Sequence, residues 1–152
     1  MRILVTGAAG FLGQVACRRL ADAGHTVVGV DRRTPADASA IEPHVLDLRD
    51  IEPIHGPLRA CDAVVHLANL CGGAMPPQQL YSDNVRANAY VFQAAVDLGV
   101  AHLVYASSVQ VFAGNRYAGQ TSEGQASCLR YLPLDGREPP CPGNAYAASK
   151  ES

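Results

Sequence analysis

The sequence predicts an α/β fold, a parallel sheet with helices on both faces. Three observations carry that expectation. Short apolar runs of strand length alternate with longer stretches of helical periodicity. A glycine-rich turn, Gly7-Ala8-Ala9-Gly10-Phe11-Leu12-Gly13, joins the first run, Ile3-Leu4-Val5, to the first helical stretch. A second apolar run then ends at Asp31, closing a β-α-β unit within about 30 residues.

The glycine turn organises the rest. A strand that feeds a glycine loop and then a helix places free backbone N–H groups and the positive end of the helix dipole at one point, which favours an anion. The glycines permit a tight turn, close backbone approach to a pyrophosphate, and close packing of helix on strand. Their spacing is G-x-x-G-x-x-G, and an ordinary strand-to-helix turn would also accommodate it. Apolar positions Phe11, Leu12, Val15, Ala16, Leu20 and Ala23 recur near helical spacing, and Gly24 is a good stop. His25 to Val30 reads as the second strand. Asp31, 18 residues after Gly13, can accept hydrogen bonds from both hydroxyls of an adenosine ribose. The same carboxylate repels a 2′-phosphate, which favours NAD over NADP. Arg32 and Arg33 keep NADP open as an alternative.

Residues 34 to 43 lack periodicity and read as loop. His44-Val45-Leu46 is a short third strand, followed by Asp47-Leu48. Pro53 and Pro57 break any helix between 51 and 60. Asp62 to Ala68 reads as strand four, and Gly72-Gly73 with Pro76-Pro77 as a loop. Gln78 to Leu98 is the longest helical pattern, ended by Gly99. Ala101 to Ala106 reads as strand five, with Ser107 and Ser108 at its end. The whole is a Rossmann-like, doubly wound sheet with strands expected in the order 3-2-1-4-5. Residues 113–143, rich in glycine and proline, read as one long loop or lid. Asn144 can cap a last helix that starts near Ala145.

Composition excludes several classes. With 152 residues, 48% hydrophobic and 17% charged, the chain is long enough for one globular domain. A net charge of −2 without a basic stripe argues against a nucleic-acid or membrane-surface partner. The apolar runs are too short to span a bilayer, and the N-terminus lacks a signal-peptide pattern, so a cytoplasmic location is expected. The five cysteines, at 17, 61, 71, 128 and 141, are odd in number and include no C-x-x-C pair. Neither a disulfide scaffold nor a metal site is expected; Cys17 and Cys61 read as buried thiols.

The last helix carries Tyr146 and Lys150, four residues apart and one turn apart on one face. A phenol is a poor acid at neutral pH, and a neighbouring ammonium favours its ionised form. Such pairs are also common on surfaces. A serine at the C-terminal end of a parallel strand, as Ser108 is, lies on the edge where these sheets bind ligands.

Taken together, these residues resemble the extended branch of the short-chain dehydrogenase/reductase superfamily, the NAD-dependent epimerases and dehydratases. The matching stretches are Thr6 to Gly13, Asp31, Asp47-Leu48, His66-Leu67-Ala68, Asn84-Val85, Ser107-Ser108 with Val111-Phe112, and Tyr146-x-x-x-Lys150. The resemblance implies that Gly7, Gly10 and Gly13 hold the pyrophosphate, with N–H groups from Phe11 and Leu12. It implies that Asp31 takes the ribose with Arg32 beside it. Asp47 and Leu48 would flank the adenine, Leu67 and Ala68 line the cofactor, and Asn84 stand near it. Ser107 would border the nicotinamide and Ser108 polarise the substrate oxygen. Tyr146 would be the acid/base, and Lys150 would bind the nicotinamide ribose and favour the Tyr146 phenolate. The implied chemistry is hydride transfer between a substrate carbon and the nicotinamide. The implied substrate is a nucleotide-sugar or related hydroxyl or keto compound.

Two departures from the family pattern matter. Dehydratases of this branch have an acidic pair directly after the hydroxyl residue, and related decarboxylases a glutamate; here those positions are Val109 and Gln110. An amide does not exchange a proton as a carboxyl group does, so epimerase or reductase is favoured. Members of the branch also run to about twice this length, a size that adds a substrate domain to a cofactor domain. A fragment of a longer enzyme is therefore expected, ending within the Tyr/Lys helix, with strand five's outer edge open and the substrate domain absent. The family's dimers form through paired long helices, a part that Gln78–Leu98 could play. The alternative is a non-catalytic dinucleotide-binding module or cofactor sensor.

Overall fold

The computed structural model describes residues 1–36, 38–50, 54–112, 136, 137 and 139–151. Two compact units divide the chain: residues 1–69 with 86–106, and residues 70–85 with 107–152.

The first unit contains the sheet. Its strands are β1 (Arg2–Thr6), β2 (Thr26–Asp31), β3 (Glu42–Val45), β4 (Ala63–His66) and β5 (His102–Tyr105). They are all parallel and lie in the order β3-β2-β1-β4-β5, as the sequence predicts. In the central strand Leu4 pairs with Val28 on one side and Val64 on the other. Alternation along the strands divides their side chains between two cores. Leu4, Val28, Val30 and Val64 join Leu58 of α2 (His55–Leu58) and Val91, Ala94 and Ala95 of α3 (Pro77–Asp97). Val5, Val27 and Val65 join Ala16, Cys17 and Leu20 of α1 (Phe11–Asp22). This is the two-faced burial expected of a parallel sheet, at about 1.5–3 kcal/mol for each fully buried Val or Leu.

The predicted helix stops hold. Gly24 takes φ +84°, its N–H bonds to Ala21 O, and the N–H of His25 bonds to Leu20 O. Gly99 takes φ +67° and, with Val100, closes α3 in the same way on Val96 and Ala95. In both cases the left-handed residue ties off carbonyls that the last helical turn leaves open.

The third strand differs from expectation. It starts at Glu42, two residues before His44, and includes Pro43. A proline cannot donate to a ladder, but β3 lies at the sheet's end and pairs with β2 alone, so no bond is lost on its outer side. Cys17 and Cys61 are buried free thiols, as the sequence suggests. At the other end β5 is also an edge strand, with Leu103 and Val104 exposed.

The second unit contains the first turns of α3 (from Pro77 to Val85), a 3-10 turn at Val109–Phe112, and α4 (Ala145–Glu151). Asn144 caps α4 as predicted: its Oδ1 accepts the Ala147 N–H at 2.8 Å. Most of the expected 113–143 loop, with Arg116, Tyr117, Arg130, Tyr131 and Cys128, lies outside the described residues. Among the described residues no helix is long and apolar enough to cross a membrane.

Candidate active site

The glycine turn belongs to the first unit. Gly7 takes φ +71°, and a Cβ there would lie 2.8 Å from Ala68 N. A Cβ on Gly13 would lie 1.9 Å from Gly7 O, inside any allowed contact. Gly10 is less constrained, at 3.1 Å from the same oxygen. Gly7 and Gly13 are thus required by backbone-on-backbone packing. Gly10 is the N-cap of α1 and brings no side-chain cap. The N–H groups of Phe11, Leu12 and Gly13 accordingly have no acceptor among the described residues. Phe11 is 85% exposed and Leu12 63%, so this helix end is open to a ligand.

Asp31 ends β2 and is half-buried. Its Oδ2 accepts the Ala9 N–H at 3.0 Å and its Oδ1 accepts the Arg33 N–H at 3.1 Å. The first bond ties the carboxylate to the glycine turn, and each oxygen keeps a lone pair for a hydroxyl donor. This donor and acceptor set fits a dinucleotide: N–H groups for the pyrophosphate and a fixed carboxylate for a ribose. Arg32 beside it is exposed.

Asp47 and Leu48 follow β3. Leu48 is buried in the core. Asp47 accepts from the Arg49 N–H and Nε at 3.0 Å and from Nη2 at 2.6 Å. The Arg49 guanidinium holds the Asp47 carboxyl down to about 2, despite an opposing effect of burial.

A buried polar chain fixes the segment that contains Leu67 and Ala68. Both donate their N–H groups to Thr6 Oγ1 at 3.1 Å. Thr6 Oγ1 lies 2.6 Å from His66 Nδ1, and His66 Nε2 lies 3.0 Å from Asn88 Oδ1. Asn88 Nδ2 in turn donates to the Tyr105 hydroxyl at 3.0 Å. With its Nδ2 donating, Asn88 presents its carbonyl to His66, so Nε2 carries the proton and Nδ1 accepts from the Thr6 hydroxyl. The His66 ring stacks on Tyr105 and meets Phe92 edge-on. Sequence reasoning noted Thr6 and His66 but gave them no role. A fully buried histidine beside a threonine one strand away is legible only once β1 and β4 are known to pair.

The second unit brings together Asn84, Ser107, Ser108, Tyr146 and Lys150. Asn84, 2% exposed, accepts the Leu70 N–H and donates to Leu70 O and Ser149 Oγ. Both its amide hydrogens are engaged inside the protein. It is a brace that joins residue 70 to α3 and α4. Ser107 Oγ donates to Lys150 O at 3.5 Å. Ser108 Oγ accepts the Gln110 N–H at 3.2 Å, which leaves its own hydrogen to donate.

Tyr146 is half-buried and lines a cleft of about 550 Å³ with Cys71, Met75, Leu80, Gln110 and Asn144. Lys150 is 4% exposed. Burial lowers its pKa, and the nearby Cys71 acts the other way. Tyr146 and Lys150 lie one helical turn apart on α4. The second unit therefore holds a general acid/base candidate on a cleft, with a hydroxyl donor at Ser108.

Comparison with known proteins gives this arrangement a family. The model of the NAD dependent epimerase/dehydratase family matches residues 3–151. A 2-alkyl-3-oxoalkanoate reductase of Shewanella oneidensis is 35% identical over 149 residues, which cover 96% of this chain and 35% of that protein. A UDP-glucose 4-epimerase of Corynebacterium glutamicum is 31% identical over 162 residues, covering all of this chain and 44% of its own. A solved UDP-galactose 4-epimerase superposes with a TM-score of 0.81 at 31% identity, covering 99% of this chain and 48% of its own. A short-chain dehydrogenase/reductase superfamily protein from Agrobacterium tumefaciens with bound NAD gives a TM-score of 0.81 at 28% identity, over 99% of this chain and 42% of its own. The chain thus spans less than half the length of each of these four proteins. With a family match along nearly its whole length, the chain belongs to the NAD-dependent epimerase/dehydratase family of extended short-chain dehydrogenases/reductases.

Proposed function

We propose that this protein works as an NAD-dependent epimerase or reductase on a small hydroxyl or keto compound. The observation that carries the reading is Tyr146 on its cleft, one helical turn from the buried Lys150. Phe11, Leu12 and Gly13 would offer N–H groups to the pyrophosphate beside Gly7 and Gly10, and Asp31 would accept from the adenosine ribose, with Arg32 at its side. Leu67, Ala68, Ser107 and the Lys150 ammonium would complete the cofactor contacts. When bound, NAD supplies a hydride acceptor, and its reduced form a hydride donor. Tyr146 takes the proton from the substrate hydroxyl as the carbonyl forms and returns it in the reverse direction. Ser108 donates a hydrogen bond to the same oxygen.

Neither residue directly after Ser108, Val109 or Gln110, is acidic, which supports epimerisation or reduction over dehydration. Two relatives are named for sugar-nucleotide epimerisation and one for oxoalkanoate reduction, so the substrate class spans both. A cytoplasmic location and a homodimer formed through α3 are part of the same proposal.

Nicotinamide fluorescence tests the cofactor half. NADH should bind at least about ten-fold tighter than NADPH, since Asp31 meets the 2′-phosphate with like charge. Asp31→Ala should erase the preference. Equal affinity in the natural protein would sink the assignment of Asp31.

A further inference from the structure

The cleft in the second unit contains a fixed amide that the acid/base chemistry does not use. The Ala147 N–H at the start of α4 must be capped, and Asn144 Oδ1 caps it at 2.8 Å. That bond decides which way the Asn144 amide faces. Its Nδ2 is then the group aimed at Gln110, and it donates to Gln110 Oε1 at 3.0 Å. The acceptor on Gln110 is therefore its carbonyl oxygen, and its Nε2 hydrogens face away from that bond. Among the described residues Nε2 has no acceptor. The Gln110 backbone is held as well, through its N–H on Ser108 Oγ. A helix cap thus orients one amide and, through it, a second. The second amide lines the same cleft as Tyr146, where Met75 and Leu80 supply apolar wall.

We propose that Gln110 is a specificity-determining residue, a neutral double N–H donor that reads a second oxygen on the substrate beside the reacting carbonyl. Asn144 is its positioning residue. The inference rests on Tyr146 being the acid/base of the site. A charged lysine or arginine in this place would recognise any anion. An exposed amide whose carbonyl is already engaged offers its N–H groups to an oxygen acceptor on a compact molecule and gives nothing to a plain alkyl group. The apolar wall adds the other half of the pattern. The substrate class is a keto compound with an apolar arm and an oxygen acceptor within a few bonds of the reacting carbon.

A matched pair of probes tests this on the natural protein with NADH: 3-oxohexanoate and 2-pentanone, the same ketone without its carboxyl group. The wild-type protein should prefer the oxo acid in kcat/KM. Gln110→Met keeps the length and removes both donors, and the preference should fall by about ten-fold, mainly through KM. Asn144→Ser keeps a hydroxyl to cap Ala147 but releases Gln110, and should give a smaller fall in the same direction. An unchanged preference in Gln110→Met, with an unchanged melting temperature, overturns the proposal. Binding of 3-oxohexanoate followed by NMR line broadening supplies a readout free of turnover: binding weaker in Gln110→Met supports the role, and equal binding refutes it. Failure of Tyr146→Phe to lower turnover would instead count against the parent reading, and leaves this binding comparison intact.

Discussion

The two units of this chain build their chemistry from different material. In the first, the groups a dinucleotide needs are mostly backbone. Bare N–H groups open α1, Gly7 and Gly13 give way to a neighbouring peptide, and the carboxylate proposed for the ribose, Asp31, is itself held by the Ala9 N–H. In the second unit the chemistry lies in side chains: the Tyr146 phenol, the Lys150 ammonium, the Ser108 hydroxyl and the amides of Asn84, Asn144 and Gln110. The first is set by a sheet whose strands bury Val and Leu on both faces. The second is set by hydrogen bonds among a seven-residue helix, a 3-10 turn and the start of α3. A backbone site tolerates side-chain change except at its glycines. A side-chain site is broken by deleting a single oxygen.

The sharpest way to break that contrast is at Tyr146. Tyr146→Phe removes one hydroxyl and leaves the packing of α4 in place. Turnover should fall by about 10²–10⁴-fold, the usual worth of a positioned proton-transfer group. NADH affinity, read by fluorescence, should stay within about two-fold, because a phenyl ring keeps the local packing. A parallel collapse of NADH binding would mean that the two kinds of material are not separable.

Next in size is Gly13→Ala. Its methyl group would enter at 1.9 Å from Gly7 O, and neither the turn nor α1 can retreat without losing the Gly10 N–H bond to that same oxygen. Overpacking of this kind costs about 1–3 kcal/mol, and NADH binding should be lost with it. Gly10→Ala, whose methyl group would lie at a tight 3.1 Å from Gly7 O, should retain more of both. If the two alanines behave alike in a thermal melt and an NADH titration, backbone crowding is not what the glycines relieve.

The same contrast explains what could be read in advance. Strand order, the two glycine helix stops and the Asn144 cap were legible because each rests on local chemistry: apolar alternation, a left-handed residue, a side-chain oxygen near an open N–H. The glycine turn was legible for the same reason. Pro43 within β3 was not, since its tolerance depends on which strand lies at the edge. Nor were the partners of Asn84, Thr6 and His66. Asn84 bonds Ser149, 65 residues on, and Thr6 meets His66 60 residues away. Hydrogen bonds across such spans leave no period in a sequence. Asn84 could be matched to a family position, but only its three bonds show that it braces the protein from within.

The smallest expected effect concerns the one place where the first unit uses a side-chain pair. Arg49 forks onto Asp47 and holds its carboxyl down to about 2, against an ordinary 3.8. A carboxyl depressed in the folded state adds stability above its ordinary value, and that contribution is lost as pH falls from about 3.8 toward 2. The pair is part-buried but reached by water, its side chains 34% and 27% exposed, so screening keeps its worth small. Arg49→Met should move the Asp47 carboxyl titration, followed by ¹³C NMR, upward toward 3.8, and should flatten the acid limb of the stability curve in that window. NADH affinity should change by less than about three-fold, since a freed carboxylate replaces no backbone N–H. A larger loss would show that Asp47 and Arg49 act as a unit on the ligand, and that this end of the molecule also relies on side chains.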